Sequence, residues 1–304
     1  MPFLLINEDI TRLDVDVIVN AANTSLLAGG GVCGAIFAAA GYQKLEEACE
    51  KLSPISTGEA VITPGFNLKA RYIIHTAGPI YQEHSLQNRP LLQACYQNSL
   101  SLAYKKGLRS IAFPLISSGI YGYPKKEAYE IAKDTITTFL KDHDMRVYLT
   151  LLDKIDIPHD EFDRYLKLQQ ISKVHPMRHF PMTKNNQKSN ITGKPFLEQI
   201  KHYIEESKLT ESQFCYLANM NHSSFHKMIS SDQPTKDQIL SSCIALSLPL
   251  EEIESFLYIN HDTLAKDNLR DCIIRYFISQ QQYDIFSIND MLFYFEQKLL
   301  GTHE

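Results

Sequence analysis

"DVIVNAANTSLLAGGGVCGAIFAAAG", Asp16 to Gly41, runs from a short β-branched segment through Gly29, Gly30 and Gly31 into an apolar helical pattern. Leaving a strand through glycines into a helix brings bare backbone N–H groups to the positive end of a helix dipole, where no Cβ holds an anion away. A flexible turn has the same composition, so one such junction decides little. A second one adds weight. "FPLISSGIYGYP", 113–124, leaves an apolar run through Ser117, Ser118, Gly119 and Gly122 and reaches a helix opened by Pro124. Two loops of this kind converge at the carboxyl edge of a sheet, where open α/β folds bind ligands. A diphosphate between them is the natural ligand.

The surrounding sequence fits that sheet. Strand candidates at 3–6, 16–19, 59–62, 71–77, 110–116 and 145–152 alternate with helix candidates at 33–40, 43–51, 88–106, 124–141 and 159–170. This predicts an α/β unit whose mixed, mostly parallel sheet is covered on both faces. Residues 171–194 are polar, contain two prolines and hold no period, so they read as a linker. From 195 onward the strand pattern gives way to helical punctuation, with Thr210 and Asn221 as N-caps and Pro249 opening a further helix. A smaller all-α domain over 195–304 is expected.

Charge divides the same way. The chain carries a formal −5, and residues 195–304 hold 8 Lys/Arg against 16 Asp/Glu, leaving the first 194 residues at +3. Six scattered cysteines form no C-x-x-C and no zinc spacing, so neither a disulfide framework, a metal site nor a cofactor is expected. With no secretory n-region at "MPFLLINEDI" and no long apolar run, the expected setting is cytoplasmic, away from membranes.

Three ordered stretches, "NEDITRLDVDVIVNAANTSLLAGGGVCGAIFAAAG", "GEAVITPGFNLKARYIIHTAGPIY" and "SIAFPLISSGIYGYPKKEA", resemble the macrodomain family, in its branch of ADP-ribosyl hydrolases and O-acetyl-ADP-ribose deacetylases. The resemblance covers about residues 1–170 and implies a three-layer fold that binds ADP-ribose or ADP-ribosylated protein. It implies adenine recognition at Asp9 and Ile10, and distal-ribose contacts at Asn20 and Asn23, with Asn23 the direct one. Gly30, Gly31 and Val32 match the first phosphate loop; Ser117, Ser118, Gly119, Ile120 and Tyr121 match the second. His75 reads as structural.

Two positions depart from the family pattern. Where the hydrolase branch has an Asp after "GGGV" and a His four residues later, this chain has Cys33 and Phe37, which share one helix face. Asn23 and Cys33 are therefore the catalytic candidates, with three roles open for Cys33: a small space-filler under the ligand, a group that positions water without taking its proton, or a covalent nucleophile. Hydrolysis of an ADP-ribosyl linkage is the leading expectation, and a non-catalytic reader of ADP-ribose or a ligand-responsive regulator is the alternative.

The stretch 210–248 resembles the lambda-repressor-like helix-turn-helix family, with its second helix at 210–219 and its recognition helix at 222–230, although the usual turn glycine is missing. Phosphate binding requires cations, and an acidic region with Lys227, His222 and His226 on that helix supplies few. A protein partner is expected for this region and DNA is not.

Overall fold

The computed structural model describes residues 2–152, 159, 161–167, 196–231 and 234–301. The linker expected at 171–194 lies outside the described residues. The chain divides into two compact units, Met1–Asp156 and Ile157–Glu304.

In the first unit, β1 (Phe3–Ile6), β2 (Val17–Ala22), β3 (Ala60–Pro64), β4 (Tyr72–Ala77), β5 (Ser110–Pro114) and β6 (Arg146–Thr150) form one sheet in the order β1-β6-β5-β2-β4-β3. Every neighbouring pair is parallel except β3 with β4. Between the strands come α1 (Gly31–Ala40), α2 (Tyr42–Glu50), α3 (Asn88–Lys105) and α4 (Lys125–Leu140).

The two-residue period of the strands sorts the core between the faces. On one face Ile18, Ala22, Ile73 and Ala77 join Ile36 and Phe37 of α1 and Leu45 of α2 in a single buried cluster. On the other, the Phe113 ring lies 5.2 Å from that of Tyr96 on α3. Each fully buried Ile or Phe contributes roughly 1.5–3 kcal/mol. With both faces covered, the strands can be apolar at nearly every position.

The second unit is helical: α5 (161–167), α6 (Phe196–Ser207), α7 (Glu211–Leu217), α8 (His222–Ile229), α9 (Lys236–Ala245), α10 (Leu250–Ile259), α11 (Leu269–Ser279) and α12 (Ile285–Tyr294). Thr210 closes a capping box with Gln213, and Asn221 caps α8 through Ser224 N. The left-handed turn that a glycine would ordinarily make is made by Asn219, at φ 49°, whose buried amide donates to Leu300 O at 3.2 Å. Asn tolerates that conformation better than other side chains.

The helix at 161–167, grouped by its sequence with residues 1–170, packs within the second unit. The Phe162 ring sits 5.4 Å from both Tyr276 and Phe295, because that is where its apolar face finds partners. No helix among the described residues is long and apolar enough to cross a membrane.

Candidate functional site

Because β2, β4 and β5 run parallel, the segments that follow them emerge on one edge of the sheet. They enclose a cleft of about 330 Å³. Asn23 and Gly29 to Cys33 supply one wall, and Leu115 to Ser117 with Gly119 to Tyr121 supply the other, with Gly78 between them. Of the expected residues, the structure thus gathers Asn23, Gly30, Gly31, Val32, Cys33, Ser117, Gly119, Ile120 and Tyr121.

The first loop is tied to itself. Asn23 accepts from Leu27 N at 3.1 Å and donates to Leu27 O at 2.7 Å, so one side chain staples the turn that precedes the glycines. Gly30 caps α1 in extended conformation, and Gly31 opens the helix at φ 62°, which a side chain would strain. The first N–H groups of α1 thereby border the cleft without a side-chain cap.

The second loop is held from beneath. Tyr96 accepts from Ile116 N at 3.0 Å, and burial pushes its phenol far above its ordinary range. Ser117 stands at φ 65°, a strained value for a residue with a Cβ, and its hydroxyl is buried with no hydrogen-bond partner in the protein. Only a glycine fits opposite: a Cβ on Gly78 would meet Ser117 Oγ at 2.3 Å. Ile120 is 81% exposed, and it reaches across the cleft until its Cδ1 is 3.1 Å from where a Gly30 Cβ would be.

Four expected contacts lie off this wall. Asn20 is fully buried, since it shares the strand face of Ile18 and Ala22 and pairs in register with His75. Its amide donates to His75 Nδ1 at 3.1 Å and to Cys33 Sγ at 3.6 Å, which makes it a support behind the cleft rather than its lining. Ser118 turns its hydroxyl back to Leu115 O at 2.8 Å. Ile10 is in the core. Asp9 caps a short 3-10 turn and accepts from Thr11 N at 2.9 Å, which, with the Thr11 hydroxyl, holds its carboxyl below the usual range.

Cys33 and Phe37 share the buried face of α1, but only Cys33 reaches the cleft. Phe37 is completely buried and packs on Tyr42 at 5.5 Å, while Cys33, 5% exposed, borders the cleft and points its thiol toward Leu27 O at 3.9 Å. Both belong to one buried cluster, and of the two only Cys33 also borders the cleft.

Beneath Cys33, His75 fills both ring nitrogens. Nδ1 receives Asn20, Nε2 lies 2.9 Å from Thr63 Oγ1, and burial lowers its pKa to about 4, so the ring is neutral. It is structural, in keeping with its sequence.

Among the described residues no Asp, Glu, Lys, Arg or His lines the cleft. An anion there meets backbone amides and the α1 dipole in place of cationic side chains. Among the described residues no group of three or more His, Cys, Asp and Glu is placed to hold a metal ion. Gly78 escapes the sequence reading, although "HTAGP" shows the same passage from strand into glycine as the two loops.

Comparison with known proteins agrees with this architecture. Residues 19–132 match the model of the Macro domain family. A macro domain-containing protein of Chlorobaculum tepidum is 55% identical over 137 residues, covering 45% of this chain and 79% of that protein. The O-acetyl-ADP-ribose deacetylase of Escherichia fergusonii is 49% identical over 152 residues, 48% of this chain and 85% of the enzyme. The ADP-ribose glycohydrolase MACROD2 of Xenopus laevis is 53% identical over 134 residues, 44% of this chain and 32% of that longer protein. Glycine loops, sheet order and relatives lead to one assignment: this chain belongs to the macro domain family.

Proposed function

We propose that the first unit binds ADP-ribose and hydrolyses an ADP-ribosyl linkage, in a mono-ADP-ribosylated protein or in O-acetyl-ADP-ribose. The observation that carries the binding is the convergence of two glycine-bearing loops on a cleft without charged side chains, at the start of α1. The diphosphate lies on the amides of Gly30, Gly31 and Val32 and of Ser117, Gly119, Ile120 and Tyr121. Asn23 and Tyr121 meet the distal ribose, and Asp9 receives the adenine amine through the oxygen that Thr11 does not use. Ser118 and Asn20 act by holding their loops, and Ile10 by seating Asp9.

The names of the Escherichia and Xenopus relatives support hydrolysis. In that step a water oxygen bonds to the carbon of the linkage, the bond to the leaving oxygen breaks, and a water proton passes to that oxygen. With no carboxylate on the wall, Cys33 orients the water and the loops stabilise developing charge. A neutral thiol is a weak donor and a poor base.

That same absence favours a second reading, a reader that binds without turnover. Purified protein is offered O-acetyl-ADP-ribose and mono-ADP-ribosylated protein; binding of ADP-ribose with neither consumed removes the hydrolase. Cys33→Asp restores an acid at the cleft, and turnover is expected to rise about 100-fold or more, as is usual for one acid–base group.

For the helical unit, we infer a protein-binding or dimerising role with a helix-turn-helix-like shape. Its acidity supports this, as do His222 and His226 on α8, which both turn onto Glu211 at 2.6 and 3.0 Å. Salt-dependent retardation of duplex DNA by the full chain would overturn it.

A further inference from the structure

A second cavity, of about 290 Å³, adjoins the cleft and shares Gly78 and Tyr121 with it. Its position is informative. Its wall includes Thr24, the residue after Asn23, so it opens at the end of the cleft assigned above to the distal ribose. Thr57, Gln82 and Gln87 continue the wall to the start of α3.

The segment that builds this cavity is fixed at both ends. Tyr81 N donates to Tyr121 O at 2.9 Å, which joins it to the second loop. Asn88 donates to Gln82 O at 2.6 Å and accepts from Gln82 N at 3.3 Å, which latches it to α3. Against this fixed backbone, the side chains of Thr24, Thr57, Gln82 and Gln87 make no hydrogen bond among the described residues. Thr24, Gln82 and Gln87 are exposed and Thr57 is half-buried, so these polar groups are open to a ligand entering from solvent. No Asp, Glu, Lys or Arg lines the cavity, so it offers hydrogen bonds and no counter-charge.

We infer that this cavity is the subsite for the group carried on the distal ribose, and that it takes an uncharged, hydrogen-bonding group, with Thr57 and Gln87 as specificity-determining residues. The inference rests on the proposed binding of ADP-ribose in the adjoining cleft. Gly78 and Tyr121 belong to both walls, so a ribose seated between Asn23 and Tyr121 has this cavity beside it. A charged guanidinium group would give up water there without gaining an ion pair.

Two variants test it: Gln87→Phe, an exposed position whose ring fills the cavity, and Thr57→Val, which removes a hydroxyl at constant shape. Both are expected to bind free ADP-ribose within twofold of the natural protein. Gln87→Phe is expected to raise KM for O-acetyl-ADP-ribose and for a mono-ADP-ribosylated peptide about tenfold, and Thr57→Val about threefold, with kcat little changed. Unchanged KM in both variants, or an equal loss for free ADP-ribose, overturns the subsite.

The two readings fail separately. If the natural protein binds ADP-ribose but hydrolyses nothing, hydrolysis falls and the subsite is read by binding alone. The linked peptide must then bind several-fold tighter than free ADP-ribose, and Gln87→Phe must erase the margin. Equal affinities overturn the subsite, and no binding of ADP-ribose by the natural protein overturns both.

Discussion

The two loops that face each other across the cleft reach similar shapes by different means. The first is stapled by its own side chain, Asn23 to both backbone groups of Leu27, and of its glycines only Gly30 faces a close neighbour, the tip of the Ile120 side chain. The second depends on what lies beneath and beside it: the Tyr96 hydroxyl under Ile116, Gly78 against Ser117, and the Tyr81 amide on Tyr121. A self-stapled loop is a local property of its sequence. A supported loop is encoded by residues far from it, and its shape fails when the support does.

The largest test of that difference is Gly78→Ala, outside both loops. The added methyl would stand 2.3 Å from Ser117 Oγ and 2.8 Å from Ile116 Cγ2, so the second loop must move. Affinity for ADP-ribose is expected to fall about 100-fold, close to 3 kcal/mol, with the far-ultraviolet circular dichroism unchanged. Isothermal titration within threefold of the natural protein would mean that the second loop sets its own shape.

Acid separates the two walls in another way. His75, under α1 and the first loop, is neutral when folded, with its pKa lowered to about 4 from 6.5. Between those values the unfolded chain binds a proton that the folded chain excludes, so stability is complete above about pH 6.5 and falls as pH drops toward 4. The loss is on the order of 3 kcal/mol. Asp9 and Asp16, whose pKa values are lowered, add their own losses only below their ordinary 3.8. The support of the second loop, Tyr96, is raised and stays neutral throughout. Urea midpoints at pH 7 and pH 4.5 measure the fall, and His75→Gln is expected to be less stable at pH 7 but flat across this window. A natural protein equally stable at both values would exclude a neutral buried His75.

The same contrast explains what was legible in the sequence. Strand and helix positions follow from short β-branched runs between helical segments, and the carboxyl-edge cleft from glycine placement, which are local signals; most of the lining residues follow from the family resemblance. The burial of Asn20 is legible: Ile18 and Ala22 flank it on one strand face, and that face is buried. Helical spacing groups Phe37 with Cys33, and both are buried, but spacing does not tell that only Cys33 also borders the cleft. Tyr96 carries no local signal, since its role arises only when α3 packs under the loop after β5, and "HTAGP" shows Gly78 leaving a strand but not that Ser117 stands opposite it. The second unit is least legible: its caps were plain, whereas Asn219 and Asn289 both binding Leu300 O depends on contacts across 81 and 11 residues.

The smallest expected effect belongs to Asn23, where stapling the loop and touching the ligand can be told apart. Asn23→Ala removes both bonds to Leu27 in a half-exposed turn, where water replaces part of each, so the cost is about 1 kcal/mol, or about 2–4 °C in Tm for a unit of this size. Asn23→Asp keeps an acceptor for Leu27 N, so its Tm is expected to fall by less than half as much. It also brings a negative charge to a wall proposed to hold a diphosphate and loses the donor, so its affinity for ADP-ribose should fall further than that of the alanine variant. A residue that only staples the loop would give the reverse order, with affinity following Tm. Calorimetric scans and titrations of the two variants decide between them, because stability and affinity move together in one case and apart in the other.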